Sequence, residues 1–447
     1  MADINSILNS SYMIMHSNRT LHFYDLYRGL HRILDKSNKT VGTDKFETTK
    51  LVLNYNDPVI AFIVDFCLRN PAQVQHKDEQ FNDWLQNWIK ENSIHSLDRK
   101  TLENMCVYGE AFEEGYIKKG SEEPKIRNIL NTASYPYYGD DSQLDFFIES
   151  FKQYDWNNVE IQYSTMFERD KITPYRALLK EGEPSKLLAV KDEILQLRFG
   201  YPIFDYINRS IEGEPVSDLE VLESIINEIE EKLSNVGDVL DYNSSPTLVS
   251  IGQRVEPTVK AKNTGNNSGR VLNMTQGSDV RYLTWDQNVS AVDWYINTLK
   301  SMIYELSLTP KIFFDAANVS NLSGVALTIL YSVTIIKSAP KIENFKQGLM
   351  KRYAWLKQVY EFKTGRKIDG MPTITITPSI PMNESELISN LTASVDAKLI
   401  SRELAMTKHP YVTNVQEEKE RIQEEDQNDP YSKQFDKEIQ KEFEDKK

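Results

Sequence analysis

"FFDAANVSNLSGVALTILYSVTIIKSAPK", residues 313–341, carries no charge between Asp315 and Lys337, a gap of 21 residues in a chain where 26% are charged. A run of that length can cross a bilayer. Its composition argues otherwise. Asn318, Ser320, Asn321, Ser323, Gly324, Thr328, Ser332 and Thr334 interrupt it, and its flanks lack the aromatic belt and cationic loop of a membrane span. The membrane reading fails. What remains is a polar loop up to Leu322, then a helix that Ser323 caps and Gly324 opens. The helical period continues through "KIENFKQGLMKRYAWLKQVYEFKTG", where Ile342, Phe345, Leu349, Tyr353, Leu356 and Tyr360 share one face. Together these predict ~40 residues of helix, with Pro340 as a kink or an interruption.

Two more helices precede that run. In "SDLEVLESIINEIEEKLSNVGDVLDY" the apolar positions Leu222, Ile226, Ile229, Leu233, Val236 and Leu240 step by 4, 3, 4, 3 and 4 residues. That spacing draws a narrow seam on a helix roughly 37 Å long. Ser217 caps it, and Glu220, Glu223, Glu228, Glu230 and Glu231 form its polar face. "SAVDWYINTLKSMIYELSLTP" repeats the step with Val292, Ile296, Leu299, Ile303 and Leu306. Ser290 with Asp293 starts it as a capping box, and Pro310 stops it. Narrow seams suit either two core helices of one bundle or contacts between identical helices of neighbouring subunits. Periodicity leaves both open. Between the helices lies a compact β insertion around the polar turn Asn263–Gly269, with Arg254, Lys260, Lys262 and Arg270 close by.

The first 130 residues read as mainly helical. Thr20 caps a helix through about Lys36, with Leu26, Leu30, Ile33 and Leu34 on one stripe. "NDPVIAFIVDFCLRNP" gives a second helix, with Asp57 as cap, Pro58 at its first position and Pro71 beyond its end. "FNDWLQNWIKEN" and "DRKTLENMCVYGEAFEEGYIKKG" add helices, the latter turning into strand near Gly109. From Ser134 to Arg198, "LDFFIESF", "VEIQYSTMF" and "ILQLRFG" are strand-like. Helices packed on an antiparallel sheet make an α+β fold, mainly helical overall. After the long helix, "MPTITITPSIP" alternates as a strand, and short helices capped by Ser385, Ser401 and Thr413 follow. From Gln416 to Lys447 the tail holds 12 acidic and 7 basic residues, and reads as a solvated helix that frays.

The whole chain of 447 residues has room for two or three domains, and its net charge is −14. That sign argues against a clamp that neutralises phosphates with clustered Lys and Arg. Cys67 and Cys106 are too few for a disulfide framework and read as free, partly buried thiols of a reducing compartment. The N-terminal twenty residues lack the basic and continuous apolar regions of a signal peptide. "NTGNNSGR" lacks the Lys and the preceding strand of a phosphate-cradling loop, and no HExxH or GxSxG is present. His16, His22, His31, His76, His95 and His409 are scattered, and Asp140–Asp141 sits beside a turn, where capping or solvation is its ordinary role. No catalytic or metal-ligating set emerges.

The order of these features resembles the portal proteins of tailed bacteriophages, of the type found in long-tailed phages of Gram-positive bacteria. "YRGLHRIL", "LNYNDPVIAFIVDFCLRNP", "VYGEAFEEGYI" and "EPVSDLEVLESIINEIEEKL" carry the likeness in the first half. "DVRYLTWDQNVSAVDWYINTLKSMIYELS", the SGVAL block with its long helix, and "LISRELAMTKHPYVTNVQEEKERIQEE" carry it in the second. The resemblance implies a portal fold: wing (1–216), stem helix (217–243), small β clip (244–289), second stem helix (290–310), tunnel loop (311–322), long wing helix and strand (323–380), and helical crown with acidic tail (381–447). It implies a ring, usually of twelve subunits, at one capsid vertex of the virion, built in the host cytoplasm and passing double-stranded DNA during packaging and ejection. Its implied partners are the terminase motor, a head-completion adaptor, the major capsid protein and the scaffolding protein, with no membrane, cofactor or catalytic residue. Phe314, Asp315, Asn318 and Asn321 become the tunnel loop that approaches DNA. Arg254, Lys260, Lys262 and Arg270 become clip contacts to motor and adaptor. The seams, Leu222, Ile226, Ile229, Leu233 and Val236 with Val292, Ile296, Leu299 and Ile303, become subunit contacts. The competing expectations are a metal-dependent phage DNA-processing enzyme with dispersed carboxylates and a scaffold protein without a channel.

Overall fold

The computed structural model describes residues 3–41, 44–118, 120–121, 123–139, 143–154, 156–178, 186–212, 214–244, 248–252, 277, 279–282, 289–310, 324–379, 384–412 and 415–428. The tunnel-loop residues Phe314, Asp315, Asn318 and Asn321, the clip residues Arg254, Lys260, Lys262 and Arg270, the Asp140–Asp141 pair, and Ser323 and Thr413 lie outside them. The chain divides into two compact units: Met1–Lys311 with Val333–Ser379, and Ile312–Ser332 with Ile380–Lys447.

The first unit opens with helices α1 (Ile4–Leu8) and α2 (Ser11–Tyr27), then a hairpin of β1 (Lys39–Val41) and β2 (Asp44–Phe46). The Ser10 hydroxyl accepts from the Met13 N–H and caps α2, ten residues earlier than the Thr20 cap expected from sequence. Thr20 instead lies buried inside α2, its hydroxyl donating to the His16 carbonyl at 2.9 Å. Gly29, at φ +79°, breaks the helix before the expected end at Lys36. The stripe therefore splits: Leu26 and Ile33 are buried, Leu30 and Leu34 exposed.

Helix α3 (Asn56–Leu68) carries Pro58 as its third residue, still within the first turn, where N–H groups need no helical partner. Asp57 falls inside that turn, and Tyr55 takes the cap position. Strand β3 (Gln73–Gln75), α4 (Glu79–Glu91) and α5 (Ile94–Tyr108) follow. Gly109 ends α5 at φ +83°, and a Cβ there would sit 2.8 Å from the Val216 carbonyl carbon. Only glycine makes this turn from helix into β4 (Glu110–Ile117).

Strand β5 (Pro124–Ile129) pairs with β4. Then β6 (Ser134–Tyr138), β7 (Leu144–Tyr154), β8 (Glu160–Phe167), β9 (Lys171–Leu178), β10 (Leu188–Ala189) and β11 (Leu195–Gln196) form one antiparallel sheet, in the order β10-β9-β8-β7-β6, with β11 also on β9. The expected strand over "ILQLRFG" shrinks to the two exposed residues of β11. Strand β12 (Ile203–Ile207) completes the sheet β12-β4-β5, and β13 (Ser210–Ile211) pairs with β14 (Glu214–Pro215). Successive side chains of β7 point to opposite faces, so Phe147 enters one core with Phe112, Ile129, Leu144, Phe167 and Ile203. Its neighbour Ile148 enters another with Ile4, Met166, Ala177 and Leu187.

Helix α6 (Glu220–Ser244) leads to β15 (Leu248–Ile251), which pairs antiparallel with β16 (Asp279–Tyr282), and α7 (Val289–Ser307) follows. The Ser217 hydroxyl accepts from the Leu219 N–H while Glu220 accepts from the Ser217 N–H, a reciprocal cap at the expected place. Ser290 lies inside α7, one residue past its start. Helix α8 (Gly324–Thr364) is one helix of 41 residues with Pro340 inside it, so the proline does not end it. Strand β17 (Thr373–Thr375) is shorter than the alternation of residues 371–381 predicts, and pairs with β3. The second unit contains α9 (Glu384–Asp396), α10 (Arg402–Lys408) and α11 (Val415–Asn428). Ser401 caps α10 by accepting from the Leu404 N–H, as expected, whereas Ser385 is the second residue of α9 rather than its cap.

Candidate functional site

Side chains of α8 anchor the start of α6 and the end of α7. Lys341 Nζ donates to Asp218 Oδ2 at 2.6 Å and also to the Asn208 side chain. Lys337 stands 3.7 Å from the other oxygen of Asp218 and donates to the Ser307 carbonyl at 2.8 Å. One turn earlier, Thr334 donates to the Leu308 carbonyl at 2.8 Å. The last carbonyls of α7, left without helical partners, are thereby satisfied from α8, while Asp218 ties in the start of α6. Burial by itself would raise the Asp218 carboxyl, but Lys341 and Lys337 outweigh it and hold it below the usual range. Burial, reinforced by Lys341, pulls Lys337 down.

A second buried network lies further along α8. Arg352, wholly buried, grips Glu113 with Nε at 2.9 Å and Nη2 at 2.6 Å, and gives Nη1 to Asp98 at 2.6 Å. Tyr206 donates to Glu113 at 2.7 Å. Burial raises the Asp98 carboxyl to about 6, against the pull of Arg352. Gly348 permits this packing: a Cβ there would lie 2.2 Å from the Tyr206 ring.

A third joins α6 to the segment after α2. His31 Nδ1 faces Glu230 Oε1 at 2.5 Å, and its Nε2 faces the Leu26 carbonyl at 2.9 Å. The Leu26 carbonyl and an ionised Glu230 both accept, an arrangement that favours the doubly protonated ring. Glu230, expected on the polar face of α6, is fully buried. Its carboxylate also accepts from the Leu53 N–H.

The seams change meaning in this setting. Leu222, Ile226 and Ile229 on α6, and Ile296, Leu299 and Ile303 on α7, are buried within the single chain. Within one chain these six are already covered by its own core. Leu233, Val236 and Val292 are half-buried, and Leu240 and Leu306 exposed. Helix α7 instead presents Trp294, Met302 and Leu306 to solvent, at multiples of four residues and so on one side. Sequence reasoning missed Trp294 and Met302, because a 4-3 step highlights one stripe and hides the other, and it placed the exposed Leu306 on the seam. Lys337 and Lys341 left a usable trace: they end the uncharged run one helical turn apart, on the same face.

Cys67 and Cys106 are fully buried free thiols, and burial pushes Cys67 up to about 12. Among the described residues no three His, Cys, Asp or Glu side chains gather as a metal site would require, and no helix is long and apolar enough to cross a membrane.

The family model described as "Phage portal protein, SPP1 Gp6-like" matches residues 15–430. The portal protein of Bacillus phage SPP1 is 30% identical over 106 residues, 23% of this chain and 21% of that protein's length. A chain from the virion of a native gene transfer agent particle aligns with TM-score 0.48 at 10% identity, over 85% of this chain and 89% of that one. A chain from the neck of an empty gene transfer agent particle, solved with C6 symmetry, aligns with TM-score 0.45 at 10% identity, over 75% and 85% respectively.

Proposed function

Because the chain belongs to the family of SPP1 Gp6-like phage portal proteins, we propose that it forms a ring, of twelve subunits, at one vertex of a phage capsid and conducts DNA during packaging and ejection. The observation that carries this reading is the family match across residues 15–430, which takes in most of α2 and every element after it through α11. Family membership likewise supports a non-enzymatic role, with ATP hydrolysis supplied by a separate terminase motor. On this reading the protein resides in the virion and is assembled in the host cytoplasm with capsid and scaffolding proteins.

The physics of a conducting channel favours the composition. DNA must pass without being held, and every phosphate–lysine contact along the path would trap it. A net charge of −14 and the exposed Glu220 and Glu231 of α6 oppose such trapping. In this assignment α6 and α7 are the stem, and residues 244–289 are the clip that meets motor and adaptor through Arg254, Lys260, Lys262 and Arg270. Residues 311–322 are the tunnel loop, with Phe314, Asp315, Asn318 and Asn321 toward the DNA. Since six seam residues are spent inside the protomer, the contacts between neighbouring stems pass to the exposed side of α7, at Trp294, Met302 and Leu306, together with half-buried Leu233, Val236 and Val292. Closing the ring removes that apolar side from water.

Negative-stain images of the purified protein test the proposal directly. Rings with a central hole are expected; filaments, or a monomer at every concentration by native mass spectrometry, would overturn it. Metal-dependent DNA cleavage lost with one Asp or Glu substitution would transfer the assignment to a DNA-processing enzyme.

A further inference from the structure

Helix α8 leaves one stretch of its surface apolar and uncovered. Val333, Ile336 and Pro340 are exposed, Val333 at 46% and Ile336 at 71%, and their spacing puts them on one side of the helix. Ile329, a turn before Val333 on the same helix, is exposed as well. The opposite side of these turns is buried at Tyr331, Thr334, Ser338 and Lys341. Continued by the same steps, the exposed side becomes polar at Glu343 and Gln347. The apolar stripe thus belongs to the end of the uncharged run. Lys337, which closes that run, and Lys341, one turn on, both turn to Asp218 and stay off the stripe. Pro340 adds a polar feature. It has no N–H, so the carbonyl of the exposed Ile336 loses the donor that an α-helix supplies from four residues on.

Charge and position identify the occupant. The chain carries −14, so two copies repel one another unless the faces that meet are free of acidic groups. A basic partner would be drawn to acidic surface instead, and this side of α8 offers it none before Glu343. The stripe also adjoins the exposed side of α7. Leu306 is followed by Ser307 and Leu308, whose carbonyls accept from Lys337 and Thr334, the residues next in sequence to Ile336 and Val333. An apolar surface shared by two helices in this way is larger than either stripe alone, and surfaces of that kind mark interaction sites.

We propose that Val333, Ile336 and Pro340 form a contact between identical chains, covered by a second copy on the flank that also carries the exposed side of α7. The proposal rests on the ring reading, in which every copy has a neighbour at one fixed spacing, and it extends the contact from the stem helices onto α8. The neighbour meets the stripe through a different surface of its own, as a head-to-tail contact requires. The Ile336 carbonyl is then open to a donor from that neighbour.

The test places the photo-crosslinking residue benzoylphenylalanine at Ile336 of the full-length protein, with the same residue at exposed Gln347 as control. Irradiation of assembled protein is expected to give interchain species on a denaturing gel, severalfold more abundant from Ile336 than from Gln347. Crosslinks confined to one chain would assign the stripe to another segment of the same protomer, and equal yields at the two positions would show no specific contact; either outcome overturns the proposal. Val333→Asp with Ile336→Asp should raise the concentration for half-assembly about tenfold or more in native mass spectrometry, because the contact would bury unpaired charge. The helical circular dichroism of the parent should be retained, since both positions are exposed. Rings from the parent and unchanged assembly of this variant would overturn the α8 contact while the ring reading stands. A parent that stays monomeric at every concentration would overturn both.

Discussion

Lys341 Nζ lies 2.6 Å from Asp218 Oδ2, joining the middle of the 41-residue α8 to a residue two positions before α6. The pair is buried, with side-chain exposures of 3% and 8%, and Lys337 approaches the same carboxylate from one turn away. Two cations on one buried anion make Asp218 the more consequential member to lose. Asp218→Asn leaves two lysines without a counter-charge and should cost about 3–5 kcal/mol of unfolding free energy, read by urea titration. Asp218→Asn with Lys341→Met should recover part of that loss. If the double variant were no more stable than the single one, the two side chains would not be coupled.

Arg352→Lys is expected to behave as a drastic change despite keeping the charge. Lysine cannot reproduce the forked contact to Glu113 together with the bond to Asp98, and both carboxylates are buried. A loss of about 3 kcal/mol or more follows, visible as a lower thermal midpoint. A midpoint within a degree of the parent would show that the fork contributes nothing.

The His31–Glu230 pair gives a signed pH dependence. Burial opposes the imidazolium, but the bonds to Glu230 and to the Leu26 carbonyl outweigh it and raise the His31 pKa above 6.5. A raised pKa means stability that is complete below the unfolded value of about 6.5 and is lost as pH rises through the folded value. Urea midpoints of the parent should therefore fall on the alkaline side of pH 6.5, and His31→Gln should flatten that part of the profile. An identical slope in both proteins would refute the assignment.

Gly348→Ala adds a Cβ within 2.2 Å of the ring of Tyr206, which is buried and held by its bond to Glu113. The better helix propensity of alanine, worth up to about 1 kcal/mol, does not offset overpacking, which costs about 1–3 kcal/mol. Thermal unfolding should show a net destabilisation.

Asn318→Lys tests the tunnel-loop proposal. A cation placed there should retain DNA phosphate and hinder packaging while ring assembly, seen by negative stain, stays intact. Packaged DNA of unchanged length and amount would detach this loop from the DNA path.

The sequence by itself determined the α+β class, the helix-to-strand turn at Gly109, the cap at Ser217, the stop signal for α7 and the long α8. Each is set by residues within one or two turns of one another, through period, capping groups or a positive φ. It also determined the family, because the ordered series of segments survives without any tertiary knowledge. Only the tertiary structure decided which stripe of α6 and α7 is spent inside the protomer, that Glu230 is buried against His31, and that α8 passes through Pro340. Burial depends on what packs from distant parts of the chain, and a residue's own neighbourhood does not record it. The buried ion pairs illustrate this best: Asp218 and Lys341 are 123 positions apart, and Arg352 and Glu113 are 239 apart. Their charges look like ordinary surface residues until the fold removes the water from around them.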